Sequence, residues 1–367
     1  MKNSIDWLIV VPNDRLGGGA EQLLMNLTDH LSASGQECTI YFLNSHRLDG
    51  WKYLENRCKL IYSPFPSYFL GYIALFFFII GFRMSHSIQH TFSSQTLINA
   101  MLGFMKRLGF LKKTKVIVRE SNSIFHLLSG LKLLRYKIAY QLGYSKVDLL
   151  ICQTEFMKNQ LIEALPWMGK ELNILVQENP INLDLVKNNS LNNGKIDQDS
   201  EFIIAAGRLV PAKGFDILIQ SFNKIKNRYP NLKLWILGEG IEMEPLQILI
   251  NDLNLQNRVQ LKGFSKNPFP YFKMARMGVL SSRIEGFPNV LLQMMTLNTN
   301  VVSTLSAGGI EEIKGIYTCE TENVNALSSA MTKCLDTNNL DNRTQFDEFL
   351  EKRTIHSFMN AILKEIE

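Results

Sequence analysis

Short apolar runs rich in Val, Ile and Leu alternate with longer stretches of helical period along nearly the whole chain. In the first half, runs at 8–11, 39–43, 116–119, 149–152 and 174–176 read as strands, and 20–34, 94–108 and 154–165 as helices. After Pro180 comes "INLDLVKNNSLNNGKIDQDS", polar, Asn-rich and without a period, which reads as a linker. A second series follows, with strands at 202–206, 233–237, 259–262, 278–281 and 301–303. Alternation of this kind builds parallel sheets, because the helix between two parallel strands crosses right-handedly and covers a sheet face. Two such series predict an α/β chain of two doubly wound domains with parallel sheets facing across a cleft. Length agrees, since 367 residues exceed what one hydrophobic core supports. The expected boundaries are a first domain over 1–182, a linker over 183–199, and a second domain over 200–352. A C-terminal helix over 353–367 is expected to cross back to the first domain.

The formal charge of +5 is unevenly spread. Residues 1–180 hold 19 Lys and Arg against 13 Asp and Glu, and residues 181–367 hold 20 against 21, so the excess lies in the first half. Within 100–146 ten basic residues, among them Lys112, Lys113, Lys132 and Arg135, face the single acid Glu120. Such a face suits anionic lipid or a phosphorylated substrate, or is simply a solvated helix face. Nucleic acid is excluded, because no stacking platform or recognition-helix pattern accompanies the cations. "YFLGYIALFFFIIGF", residues 68–82, carries no charge and is followed at once by Arg83. A spanning helix needs about 20 residues, so two readings stand: a buried core helix, or a segment that dips into one leaflet. "MKNSIDWLIVVPND" is too short an apolar run for a signal peptide and reads as a first buried strand. Five scattered cysteines, odd in number and never in a CxxC spacing, favour a reducing compartment and argue against a zinc site or disulfide scaffold. Together these predict a cytoplasmic protein, with peripheral association at the inner face of the membrane as the further option.

Ligands of doubly wound sheets bind at the carboxyl ends of strands, beside helix N-termini. Four stretches lie there. In "NDRLGGGAEQLLMNL", Gly17, Gly18 and Gly19 let the backbone approach a ligand and open a helix whose free N–H groups suit an anion. The same glycines also suit a flexible connection, and no GK[ST] follows to make a P-loop. In "AAGRLVPAKGFDILIQSF", Gly207 ends a strand, and Arg208 and Lys213 flank the loop before a helix near Phe215. Two cations beside a helix start suit a diphosphate; the plainer role for each is a surface ion pair. "LGEG", residues 237–240, sets Glu239 in a glycine turn, a weak signal by itself. "EGFPNVLLQ", residues 285–293, places Glu285 on a loop, then Gly286, Phe287 and Pro288, and then a helix with Asn289 and Gln293 on one face. A carboxylate there can accept two hydroxyl hydrogen bonds, as a sugar offers. Asp197–Gln198–Asp199 is formally a DxD, but it lies in the linker and reads as solvated charge rather than a metal site.

"GGGAEQ", "GRLVPAKGF", "ILGEG", "SRIEGFPNVLLQMM" and "STLSAGGIEEI", in that order, resemble the family 4 retaining glycosyltransferases of GT-B fold, of the bacterial surface-polysaccharide type. "VIVRESNS" at 116–123, "VDLLICQTEFM" at 147–157 and "ENPIN" at 178–182 look like the family's N-terminal landmarks. The resemblance implies two Rossmann-like domains and a UDP- or GDP-linked sugar donor held mainly by the second. It implies that Arg208 and Lys213 bind the donor diphosphate, and that Glu285 contacts the sugar hydroxyls. The turn Gly286–Asn289 would lend backbone N–H groups. Gln293 falls where most members carry a second Glu that binds the ribose diol. A glutamine can still accept from one ribose hydroxyl and donate toward the other, at a cost of about 1 kcal/mol. His90, in "HSIQHTF", matches a histidine that approaches the donor sugar near its anomeric centre; His86 and His126 are alternatives.

The implied reaction is transfer of a hexose or N-acetylhexosamine to an acceptor hydroxyl with retention, without metal or other cofactor. The basic, apolar first half suggests a polyprenyl-diphosphate-linked glycan acceptor in envelope polysaccharide synthesis, such as O-antigen or capsule. Two other classes share these features: a sugar-nucleotide epimerase of the same fold, and a non-catalytic sugar-nucleotide-binding subunit.

Overall fold

The computed structural model describes residues 3–15, 18–121, 124–191, 196 and 200–367. Gly17, Asp197, Gln198 and Asp199 lie outside them, as does the side chain of His126. The chain divides into two compact units, Met1–Pro180 with Ile355–Glu367, and Ile181–Thr354.

The first unit is built on seven parallel strands: β1 (Asn3–Val11), β2 (Cys38–Phe42), β3 (Lys59–Tyr62), β4 (His86–Ser93), β5 (Lys115–Arg119), β6 (Leu149–Cys152) and β7 (Ile174–Val176). Their order is β3-β2-β1-β4-β5-β6-β7, so the winding reverses between β1 and β4. The second unit repeats the plan with β8 (Phe202–Ala206), β9 (Lys233–Leu237), β10 (Val259–Gly263), β11 (Met277–Leu280), β12 (Val301–Thr304) and β13 (Tyr317–Cys319). Their order is β10-β9-β8-β11-β12-β13, reversing between β8 and β11. Helices cover both faces of each sheet, which is why β6, β8 and the stretch Trp7–Val11 of β1 are continuous apolar runs, buried on both sides. The doubly wound α/β architecture is the one the alternation predicts.

Three strands escaped the sequence pattern, each for a local reason. In β4, "HSIQHTFS", polar residues are buried among its apolar ones, and Thr91 and Ser93 sit inside with Ile88 and Phe92. β3 and β13 are short, partly exposed edges. The expected linker over 183–199 is corrected at its start: Leu183–Asn189 is a helix. The Asn182 side chain caps it by accepting the Leu185 N–H at 3.0 Å, and Val186 is buried in the second unit's core. Asparagine-rich composition hid a capped helix.

The helix Ile355–Ile366 belongs to the first unit. Phe358, Met359, Ile362 and Ile366 lie on one face and pack with Trp7, Leu23, Leu27 and Leu31. The apolar run at 68–82 is most of a helix, Tyr68–Ser85. Its length and composition would let it cross a membrane, but Gly71, Leu75, Ile79 and Phe82 are buried along one face. At Gly71 an added Cβ would fall 1.8 Å from the Leu43 carbonyl oxygen, so the helix touches backbone there and no larger residue fits. One face of this helix is core, and the opposite face is exposed apolar surface.

Candidate active site

In the second unit the loops after β8 and β11 lie side by side at the point where the winding reverses, the place where open α/β sheets bind ligands. After β8 the chain passes Gly207 and Arg208, makes a short turn Pro211–Lys213, and enters the helix Phe215–Ile225. Gly214 joins turn to helix at φ 60°, and an added Cβ would lie 2.2 Å from the Ser281 carbonyl oxygen. The left-handed angle and the close approach both require glycine here. That approach brings Lys213 against the second loop, where Ser281 Oγ donates to the Lys213 carbonyl at 3.0 Å.

The Lys213 ammonium pairs with Glu285 Oε1, and Ser282 Oγ donates to the same oxygen at 2.7 Å. Both charged side chains are largely shielded, 20% and 14% exposed. The Glu285 loop is stapled beneath: its N–H donates to Ser306 O at 2.8 Å, and Thr304 Oγ1 donates to Ser282 O at 2.6 Å. The cation assigned to the diphosphate and the acid assigned to the sugar therefore meet across 72 residues of sequence. Gly207 belongs to the same cluster, since a Cβ there would stand 3.5 Å from the Lys213 stem. Arg208, next in the chain, is exposed.

Arg283 is a residue the sequence reading passed over. Its guanidinium forks onto Asp216 at 2.9 and 2.7 Å, donates to Pro211 O at 2.6 Å and reaches Glu322 at 2.9 Å. It thus ties the Lys213 turn to the Glu285 loop. Burial pushes the Asp216 carboxyl pKa up, but the hydrogen bonds and charge of Arg283 outweigh it and hold the carboxyl below its ordinary value. No local pattern marks this arginine, because its partners lie 67 and 39 residues away.

The remaining second-unit residues fall around this pair. Gly238, at φ 147°, lies so close to Gly207 that a Cβ would stand 1.8 Å from that carbonyl. Glu239 is exposed, and its carbonyl accepts the Leu209 N–H at 2.8 Å. Gly286, Phe287 and Pro288 are buried, and the Arg353 guanidinium lies 5.0 Å from the Phe287 ring. Pro288 precedes the helix Asn289–Leu297, whose half-exposed Asn289 and Gln293 stand one turn apart.

In the first unit, Gly18 precedes and Gly19 opens the helix Gly19–Ala33, just beyond β1 at the reversal point. Glu21 reaches back over Gly18, so the chain's own carboxylate occupies part of the helix start. His90 stands apart from the strand ends. It lies within β4, three residues before the carboxyl end, level with Lys115 at the beginning of β5. Its ring stacks on Trp7 with centroids 4.5 Å apart, and Nδ1 stands 3.2 Å from the Asp6 carbonyl. Register thus sets the His90 ring against Trp7, short of the strand's carboxyl end. His86, at the start of the same strand, stacks on Phe82 and is further still from that edge.

Burial pulls the His90 pKa down. A depressed histidine contributes stability above its unfolded pKa of about 6.5, lost as pH falls through the lower folded value. His90→Gln should therefore flatten part of the fall in melting temperature between about pH 7 and pH 5. It should change the transfer rate by less than about threefold. A rate loss of two orders or more would return His90 to the reaction.

A buried polar cluster at the carboxyl ends of β4 to β7 carried no assigned role in the sequence. Glu120 accepts hydrogen bonds from Tyr144, from Tyr140 at 2.9 Å and from Thr96 at 3.1 Å. Its neighbour Arg119 donates to Ser94 Oγ at 2.8 Å and to Asn179, whose amide donates to Gln153 at 3.0 Å. The cluster knits together the loops following four strands. "VIVRESNS" and "ENPIN" supply Arg119, Glu120 and Asn179 to it, and the arginine–glutamate dipeptide was its readable signal.

Residues 186–352 match the family model "Glycosyl transferases group 1". An uncharacterized glycosyltransferase of Methanocaldococcus jannaschii is 38% identical over 179 residues, covering 48% of this chain and 44% of the relative. The N-acetylgalactosamine-N,N'-diacetylbacillosaminyl-diphospho-undecaprenol 4-alpha-N-acetylgalactosaminyltransferase of Campylobacter jejuni is 28% identical over 296 residues, covering 80% and 74%. The chain thus spans under half of the first relative and about three quarters of the second. HepE of Anabaena, solved with UDP and glucose, superposes with a TM-score of 0.78 at 16% identity, over 98% of each chain. At that identity the likeness is one of fold. Within the second unit, residues 186–352 are thus similar to the group 1 glycosyl transferases, and the chain has the GT-B fold of two parallel-sheet, Rossmann-like domains.

Proposed function

We infer that this protein is a retaining glycosyltransferase, moving a hexose or N-acetylhexosamine from a UDP- or GDP-linked donor to a hydroxyl of a lipid-linked glycan in envelope polysaccharide synthesis. The observation that carries the reading is the Lys213–Glu285 pair on adjacent loops at the sheet's reversal point. A cation there stabilises negative charge on a departing diphosphate, and an acid beside it accepts hydroxyl hydrogen bonds and orients the sugar. Arg208, on the same loop as Lys213, adds a second cation to the leaving group, so no divalent metal is needed to meet its charge. Retention comes with the family: the acceptor hydroxyl attacks on the leaving-group side and its proton passes to the diphosphate. The lipid-linked acceptor is supported by the name of the Campylobacter relative, whose substrate is an undecaprenyl diphosphate. A cytoplasmic enzyme working peripherally at the inner membrane surface fits such an acceptor.

The test is a screen of nucleotide sugars by thermal shift, then product analysis with a polyprenyl-diphosphate-linked glycan. A donor at about 100 times its Kd should add about 2.7 kcal/mol of stability. Transfer with the α or β configuration of the donor retained supports the reading. Donor interconversion without acceptor, or binding without turnover, would replace it with an epimerase or a binding subunit.

A further inference from the structure

The exposed side of the Tyr68–Ser85 helix is not isolated. Phe69 and Phe77 are 72% and 66% exposed on it, and Tyr68, Ile73 and Met84 are open beside them. A second helix, Gly130–Gly143, presents another apolar stripe: Leu131 at 78%, Leu134 at 52% and Ile138 at 51% exposure, spaced three and four residues apart. Both helices pack on the same core and on the helix Thr96–Arg107, so the two stripes lie on one face of the first unit. A soluble surface rarely leaves this many large apolar side chains together unless something covers them.

Charge identifies what does. Between Glu55 and Asp148 the sequence holds thirteen Lys and Arg and one acid, Glu120, which is buried. Lys132, Arg135 and Lys137 are exposed on the second helix, interleaved with its apolar stripe. Lys112 and Lys113 are exposed on the turn after the Thr96–Arg107 helix. That turn is fastened beside the first helix: Phe110 meets Phe76 edge-on at 5.8 Å, and Arg83 donates to the Phe110 carbonyl. An apolar face with a cationic fringe complements an anionic lipid leaflet, where rings enter the acyl boundary and ammonium groups meet phosphates. A second copy of this chain would bring the same positive fringe and repel it.

We propose that the helices Tyr68–Ser85 and Gly130–Gly143 form one docking surface for an anionic membrane leaflet, entered by Phe69, Phe77, Leu131 and Leu134. Both helices begin at the carboxyl end of their sheet: Tyr68 OH accepts from Asn13 at 2.9 Å, just beyond β1. The surface would therefore bring membrane to the edge where the sheet binds ligands. Its biological purpose rests on the lipid-linked acceptor reading, which donor-induced thermal shift without vesicles and product analysis test separately.

Flotation of the full chain with phosphatidylglycerol–phosphatidylcholine vesicles at about 0.15 M salt tests the surface. Wild type should float with these vesicles and about tenfold less with phosphatidylcholine alone. Phe69→Ser/Phe77→Ser and Leu131→Ser/Leu134→Ser should each reduce flotation about tenfold or more, as should Lys112→Glu/Lys113→Glu. Each should melt within a few degrees of wild type, because all six side chains are exposed. Absence of wild-type flotation overturns the proposal, as does equal flotation of the serine variants. Wild-type dimers that the serine variants dissolve, without lipid binding, would assign the surface to self-association instead.

Discussion

Lys213→Ala is expected to lower kcat for sugar transfer by about two orders of magnitude or more, the cost of removing one preorganised charge from a leaving-group site. The structure adds a second consequence. Without the ammonium, Glu285 keeps the Ser282 hydroxyl as its side-chain partner and remains largely shielded. A shielded carboxylate stripped of its counter-ion costs about 1–3 kcal/mol, at the low end here because both side chains retain some solvent. Glu285→Gln separates the two effects: it keeps an acceptor for Ser282 and removes the charge. Its kcat should fall comparably while its melting temperature moves less than that of Lys213→Ala. The double variant Lys213→Ala/Glu285→Ala should be more stable than the sum of its singles predicts. Initial rates and thermal unfolding on wild type, Glu285→Gln, the two alanine singles and their double check this, and a Lys213→Ala rate near wild type would remove the lysine from the mechanism.

The second large effect is on folding. Glu120→Ala should destabilise the first unit by about 3–5 kcal/mol, a drop in melting temperature of about 10 °C. Truncation leaves Tyr140, Tyr144 and Thr96 hydroxyls without their acceptor in a site closed to water, and opens a cavity as well. Glu120→Gln, which keeps shape and one acceptor oxygen, should cost less than half as much. Burial pushes the Glu120 pKa up, and the hydrogen bonds to Tyr144, Tyr140, Thr96 and Asn99 only partly counter it. For a carboxyl raised above its unfolded value, the contribution is fully present below about pH 4.3 and is lost as pH rises through the folded pKa. Wild type should therefore gain on Glu120→Gln as the solution is acidified. Thermal melts of the three proteins from neutral to mildly acid pH measure both, and a loss below about 1 kcal/mol for the alanine variant would show the cluster to be dispensable.

What lay open in the sequence was what local pattern carries. Strands buried on both faces write themselves as apolar runs, so β1, β6 and β8 could be read directly, and the turn residues after them marked the ligand edge. Glycines with no alternative, such as Gly214, anchored the motifs in place. Where pattern failed, a long-range partner had overridden local preference. β4 reads as polar because Thr91 and Ser93 are buried in it, and Leu183–Asn189 reads as linker because a capped turn is disguised by asparagines. The family resemblance pointed to His90, yet strand register places it against Trp7, below the edge.

By itself, the order of residues determined two doubly wound units, the loops that end their central strands, and the acid and lysine those loops would carry. Periodicity and turn chemistry act within a few residues, so they survive in a linear reading. Tertiary structure alone decided that Lys213 and Glu285 pair, that Arg283 binds their loops together, and that one apolar helix has a core face and an open face. Each of these depends on which strands become neighbours and which helix faces find a partner, contacts made between segments tens of residues apart.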